Sequence, residues 1–163
     1  MTARVIMKLD VVGREPAGDG TIRLTFKHPW RETLPEWTPG AHVDLRLPDG
    51  KIRQYSLIGD HRRRDVYAVA VKNEINGRGG SRWIHEALIP GSRAHVTAPR
   101  NTFSLSDHDG RTILIAGGIG VTPLISMARA LAERPADFVF HYCSRTEQAS
   151  LLDDLRAICG ERL

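Results

Sequence analysis

The sequence predicts an antiparallel β-barrel of the Greek-key type followed by an incomplete doubly wound α/β domain. Three observations carry this expectation. Between residues 4 and 98, short runs alternate apolar and polar residues and are separated by glycine- and proline-rich turns, the pattern of half-buried antiparallel strands. After a polar linker, Arg111–Ala116 is instead a continuous apolar run, as in a parallel strand covered on both faces. That run enters Gly117-Gly118-Ile119-Gly120 and then a helical pattern, and a second strand and helix repeat the unit. The first domain is placed at residues 1–105 and the second at 111–163.

Composition fits such a molecule. A chain of 163 residues holds one ordinary domain or two small ones, and 41% apolar residues with 15 glycines and 9 prolines describe a turn-rich globular protein. No apolar run approaches bilayer length and the N-terminus lacks the apolar core of a signal peptide, so a cytoplasmic protein without a membrane partner is expected. Cys143 and Cys159 lack a paired metal spacing, which argues against a zinc site or disulfide framework and reads both as small buried hydrophobes. The net charge of +4 is carried mostly by arginine, a side chain suited to bidentate recognition of phosphate and carboxylate. No basic run is interleaved with aromatics, so nucleic acid is not an expected partner, and Arg62-Arg63-Arg64 reads as a solvated hairpin turn.

In chain order, residues 4–12 read as a first strand and 13–20 as a loop. In residues 21–27, Ile22, Leu24 and Phe26 alternate with Arg23, Thr25 and Lys27, marking a strand with one buried face. Residues 28–39 form a proline-rich loop whose Trp30 and Trp37 are expected to cover an open barrel end. A strand with Val43, Leu45 and Leu47 follows, then a Pro48-Asp49-Gly50 turn and a return strand over 51–58. Further strands are placed at 65–72 and 93–98. The helix between them begins near Ser81, a candidate N-cap, and ends at Pro90-Gly91. Beyond the linker, Thr122 is a candidate N-cap with Pro123 at the first helical position. A strand at 137–142 and a helix from about 147 to 158 complete the series.

Three stretches carry chemistry. Arg53-Gln54-Tyr55-Ser56-Leu57 places a guanidinium, a flat aromatic and a hydroxyl close together, and a bend near Tyr55-Ser56 would turn all three toward one ligand. The glycines of Asn76-Gly77-Arg78-Gly79-Gly80-Ser81 let a ligand approach a helix N-terminus, whose free amides attract phosphate, with Arg78 beside it. The turn Gly117–Gly120 departs from the G-x-G-x-x-G fingerprint, yet its small residues would admit a pyrophosphate to helical amides in the same way. Arg145 falls at the carboxyl end of the next strand, where such sheets bind ligands; it reads either as a contact to the adenosine half of a nicotinamide dinucleotide or as a solvated charge.

Together the motifs resemble the ferredoxin-reductase-like flavin oxidoreductases across essentially the whole chain, with an Arg-x-Tyr-Ser barrel preceding a Gly-Gly-x-Gly-x-Thr-Pro turn. Pro39-Gly40-Ala41-His42-Val43, Arg78-Gly79-Gly80-Ser81, Ala98-Pro99-Arg100-Asn101-Thr102-Phe103 and His141-Tyr142-Cys143-Ser144-Arg145 are similar to the phthalate dioxygenase reductase and vanillate O-demethylase reductase branch. The resemblance implies electron transfer from NADH through a flavin, FMN with FAD as the alternative, to a ferredoxin-type or Rieske oxygenase acceptor. It implies that Arg53, Lys72, Arg78 and the amides of Gly79, Gly80 and Ser81 hold the flavin phosphate. Tyr55 would pack along the isoalloxazine or ribityl chain and Ser56 would bond near flavin N5, the two catalytic assignments. Gly117, Gly118, Gly120, Thr122, Pro123 and Arg145 would form the dinucleotide site. The family's later strands and its iron–sulfur domain are missing, two cysteines cannot ligate a cluster, and no metal site is expected. The chain therefore reads as a C-terminally truncated reductase whose two βα units either pack on the barrel or dimerise through an open sheet edge. The competing reading is a non-catalytic flavin-binding fragment unable to position NADH.

Overall fold

A computed structural model describes residues 5–163 of the chain. Residue 4 of the first expected strand lies outside them. Strands β1 (Ile6–Pro16), β2 (Thr21–Lys27), β3 (His42–Arg46), β4 (Ile52–Ser56), β5 (Tyr67–Lys72) and β6 (Arg93–Thr97) form one sheet in the order β4-β3-β6-β1-β2-β5. Its pairings are antiparallel. The ends of this order meet where Leu57 bridges Val69 and the Ile58 N–H donates to Ala68 O at 2.9 Å, so the sheet curls into a barrel. Its alternating inward residues make the first core: Leu9 and Val11 of β1, Leu24 and Phe26 of β2, Val43 and Leu45 of β3, Val69 and Val71 of β5, and Val96 of β6. Each such side chain removed from water contributes about 1.5–3 kcal/mol.

Several boundaries differ from the sequence-based expectation for physical reasons. β1 continues past Gly13 to Pro16 because the register shifts between Val11 and Gly13, a bulge in which a Cβ on Gly13 would stand 3.2 Å from Thr25 Cβ. Trp30 does not cover the barrel; it is 81% exposed, while Trp37 is buried in the first core. The three arginines at 62–64 are exposed, as expected, and each also pairs with a carboxylate: Arg62 with Asp60 and Glu133, Arg63 with Asp65, and Arg64 with Glu36.

Helix α1 (Gly80–Ala87) crosses between β5 and β6 with Ile84 buried. Its N-cap is Gly79, at φ 80°, and not Ser81. A left-handed residue starts the turn, and the Ser81 hydroxyl lies inside the helix, where it accepts the Glu74 N–H at 3.0 Å.

The second part contains β7 (Thr112–Gly117), α2 (Val121–Ala132), β8 (Phe138–Cys143) and α3 (Leu152–Cys159), with β7 and β8 parallel. A 3-10 turn over Gly118–Gly120 leads directly into α2, so Gly120 occupies the cap position and the Thr122 hydroxyl, already helical, donates back to Ile119 O at 3.1 Å. Helix α3 starts later than expected because Leu151, at φ 60°, interrupts the turn before it. Leu114, Ala116, Phe138 and Phe140 form a second core with Leu124, Ile125, Ala128, Leu131 and Leu155, joined from the barrel side by Ile58 and Ala70.

Strand β7 is covered on one face only: Ile113 is 58% and Ile115 69% exposed, because α2 and α3 lie on the side of Leu114 and Ala116. Cys143 is exposed as well, while Cys159 is buried. The second part packs on the barrel. Leu151 N–H donates to Ala17 O at 2.8 Å, the Thr21 and Ser150 hydroxyls are 2.7 Å apart, and Arg23 pairs with Asp154 at 2.5 Å. Among the described residues no helix is long and apolar enough to cross a membrane, and no cluster of metal-ligating side chains occurs.

Candidate functional site

β4 is a terminal strand of the sheet order and meets β5 through the Leu57–Val69 bridge. Beside it opens a cavity of about 480 Å³ lined by Arg53, Gln54, Tyr55 and Ser56 of β4, Ala70 and Lys72 of β5, Glu74, Gly77 and Arg78 of the following loop, Gly80 and Ser81 of α1, and Ile119, Gly120 and Thr122 of the glycine turn. All three stretches singled out in the sequence, far apart along the chain, therefore supply walls of one space. β4 pairs regularly with β3 from Ile52 to Ser56, and Arg53, Gln54, Tyr55 and Ser56 all border the cavity.

The α1 end of the cavity is cationic and closely built. The Arg53 guanidinium lies against the first residue of α1, so that a Cβ on Gly80 would stand 2.5 Å from its Nε and 3.1 Å from Nη2. Its Nη1 donates to Ile52 O at 3.0 Å. Neither Arg53 nor Arg78 pairs with a carboxylate among the described residues, in a protein where most other arginines do. Lys72 also lines the space, but its ammonium is paired with Asp19. Lys72 thus brings less free positive charge than the arginines. Glu74, an exposed residue, borders the same space.

Tyr55 is half-buried, and burial pushes its hydroxyl up to about 12 even though Arg53 pulls it down, so the phenol stays neutral across ordinary pH. Its ring packs partly against the first core, and the residue borders the cavity together with Ser56. Across the cavity, Tyr142 holds the glycine turn: its hydroxyl lies 3.0 Å from Gly118 O and 2.9 Å from Ser150 O, sharing one proton between them.

Of the residues expected at a site, Arg53, Tyr55, Ser56, Lys72, Arg78, Gly80, Ser81, Gly120 and Thr122 line this cavity. Gly79, Gly117 and Gly118 shape the two turns without lining it, Pro123 is the third residue of α2 and not its first, and Arg145 is exposed beyond β8, also outside the cavity. Sequence reasoning missed Gln54, Ala70, Glu74, Gly77 and Ile119. Ile119 and Gly77 sit inside motifs already singled out and could have been found there. Ala70 and Glu74 carried no signal, because only tertiary structure brings β5 and its loop beside β4.

No protein-family model matches the chain. It is 43% identical over 133 residues to a vanillate O-demethylase oxidoreductase of Pseudomonas putida, covering 80% of this chain and 42% of that protein. It is 38% identical over 147 residues to a phthalate 4,5-dioxygenase reductase subunit of the same species, covering 90% of this chain and 45% of that one. Among solved structures it superimposes with TM-score 0.87 and 35% identity on phthalate dioxygenase reductase, described as a modular structure for electron transfer from pyridine nucleotides to [2Fe-2S]. That match covers 93% of this chain and 48% of the other. The chain thus spans less than half the length of the curated relatives it matches.

Proposed function

From the chain's membership of the ferredoxin-reductase-like family, on the branch of the phthalate dioxygenase and vanillate O-demethylase reductases, we infer that it forms the flavin-holding part of an NAD(P)H-dependent oxidoreductase. Electrons would pass from NADH to an iron–sulfur or Rieske oxygenase acceptor. The observation that supports this reading is the single cavity shared by Arg53–Ser56, the start of α1 and the Gly118–Thr122 turn.

The residues present fit a flavin phosphate. Gly80 leaves room for Arg53 that a Cβ would fill, two arginines lack carboxylate partners among the described residues, and a helix N-terminus offers free amides beside them. Such a concentration of donors suits the terminal dianion of FMN better than the diester of FAD, and FMN is the cofactor proposed. Arg53, Arg78 and the Gly80 and Ser81 amides would bind the phosphate, and Tyr55 would lie along the ring system or ribityl chain. The Ser56 hydroxyl would hydrogen-bond at the edge of the ring that receives hydride. When bound, the isoalloxazine supplies the step from two-electron to one-electron chemistry, and the protein's part is alignment. The Gly118–Thr122 turn would receive the dinucleotide, with Arg145 placed toward its adenosine half. A dimer along the open edge of β7–β8 is the assembly this reading allows.

Anaerobic mixing of the purified, flavin-loaded chain with NADH tests the proposal, with the released flavin identified by chromatography. Bleaching of the flavin band is the expected result. Arg53→Ala should lose flavin, whereas Ser56→Ala should keep it and be reduced more slowly. The reverse ranking contradicts the assigned roles, and retained flavin that NADH never bleaches favours a binding module without catalysis.

A further inference from the structure

Ser126 lies on α2, is 1% exposed, and makes two hydrogen bonds. Its hydroxyl accepts the Gly40 N–H at 3.1 Å from a loop 86 residues away, and donates to Pro123 O at 3.0 Å. The two ends of this link lead straight to opposite walls of the cavity. On the helix side, Ser126 stands one turn beyond Thr122 and so shares its face. On the barrel side, Gly40 precedes Ala41, whose carbonyl accepts the Leu57 N–H at 2.9 Å, and His42, which pairs in register with Ser56.

The loop around Gly40 has little freedom to drift. Gly40 sits at φ 91°, and a Cβ there would stand 1.9 Å from Phe103 O and 2.6 Å from Met127 Cε. Asn101 Nδ2 donates to Thr38 Oγ1 at 2.7 Å and to Pro39 O at 2.9 Å. The loop is thus wedged between the linker and α2, and the Ser126 hydroxyl is the acceptor that its buried amide uses.

We propose that Ser126 is a positioning residue: its hydroxyl, clamped between Gly40 and Pro123, sets the separation between the Ser56 wall and the Thr122 wall. On the function proposed above, that separation is the distance between the flavin ring and the nicotinamide that reduces it. The clamp touches neither cofactor. Its loss leaves the flavin-holding residues in place and loosens the approach of the second partner.

The test compares wild type, Ser126→Ala and Ser126→Thr, each loaded with FMN. Threonine keeps the hydroxyl and can bond the same i−3 carbonyl in a helix. In S126A, amide exchange at Gly40 and at Ile119–Thr122 should accelerate by about tenfold or more, with FMN affinity within about twofold of wild type. Reduction at saturating NADH should slow by about 10- to 100-fold, while the NADH concentration giving half-maximal rate moves far less. S126T should restore both readouts. Unchanged exchange in S126A overturns the proposal, and so does faster exchange with an unchanged rate, because the hydroxyl would then be structural only. If S126A does not fold, Ser126→Cys, whose sulfur is a weaker acceptor, takes its place under the same criteria. A wild-type chain that holds FMN and is not bleached by NADH counts against the proposed function; unchanged exchange in S126A then overturns the link itself, and faster exchange shows a structural link without the positioning role.

Discussion

Gly80→Ala adds one methyl group at the first residue of α1, where it would meet Arg53 Nε at 2.5 Å, Cζ at 3.0 Å and Nη2 at 3.1 Å. Gly80 is not in the left-handed region, so alanine is allowed there, and the helix itself should gain up to about 0.5–1 kcal/mol from the change. The overlap is with the far end of a flexible side chain, and Arg53 relieves it by swinging away. Folding therefore loses little, and the cost falls on whatever the guanidinium holds. A hydrogen bond between charged groups is worth about 1.5–3 kcal/mol, which predicts FMN binding weakened by about 10- to 150-fold. Titration of the apo protein with FMN, followed by flavin fluorescence, measures the first effect, and thermal unfolding of the same apo protein measures the second. Affinity within about twofold of wild type would show that Arg53 does not hold the phosphate. A fall in apo stability of more than about 1 kcal/mol would show that the methyl is absorbed by backbone movement and not by Arg53.

Two further predictions concern stability. Asp44 is buried and receives both bonds from Arg100 Nη2, at 2.8 and 2.7 Å, so Asp44→Ala should cost about 2–3 kcal/mol in urea unfolding, below the range for a fully buried pair because Arg100 can turn toward water. His42 has its pKa held below the ordinary 6.5, first by burial and then by the nearby Arg100, against a smaller opposing pull from Asp44. The unfolded chain then takes up a proton at a pH where the folded one resists, so stability is full above pH 6.5 and falls as pH drops from there toward the depressed folded value. Urea midpoints at pH 7.5 and 5.5 should differ more for wild type than for His42→Phe, and equal differences would remove His42 as the cause.

Much of the fold was legible because its signals are local. The alternation over residues 21–27 fixes both a strand and its buried face, and Ile22, Leu24 and Phe26 do point inward. The glycines at 117, 118 and 120 mark where a strand must turn sharply into a helix, and they do so whatever surrounds them. The arginine, tyrosine and serine of β4 were readable as a chemical set for the same reason, since they are neighbours in the chain.

What periodicity left open is everything that depends on partners distant in sequence. Trp30 and Trp37 share one proline-rich loop and look alike in sequence, yet one is exposed and the other buried, because only the closed barrel decides which side of that loop faces the core. Lys72 reads as a free cation, and the tertiary structure gives it to Asp19, 53 residues earlier. The run Thr112–Gly117 is apolar enough to be covered twice, but helix packing covers it once and leaves Ile113 and Ile115 facing out. The sequence alone determined which short segments are strands, turns and helix starts, because those follow from the spacing of neighbouring side chains. The tertiary structure alone decided that β4, α1 and the glycine turn enclose one space, because that needs the barrel to close at Leu57–Val69 and α2 to lodge against Gly40.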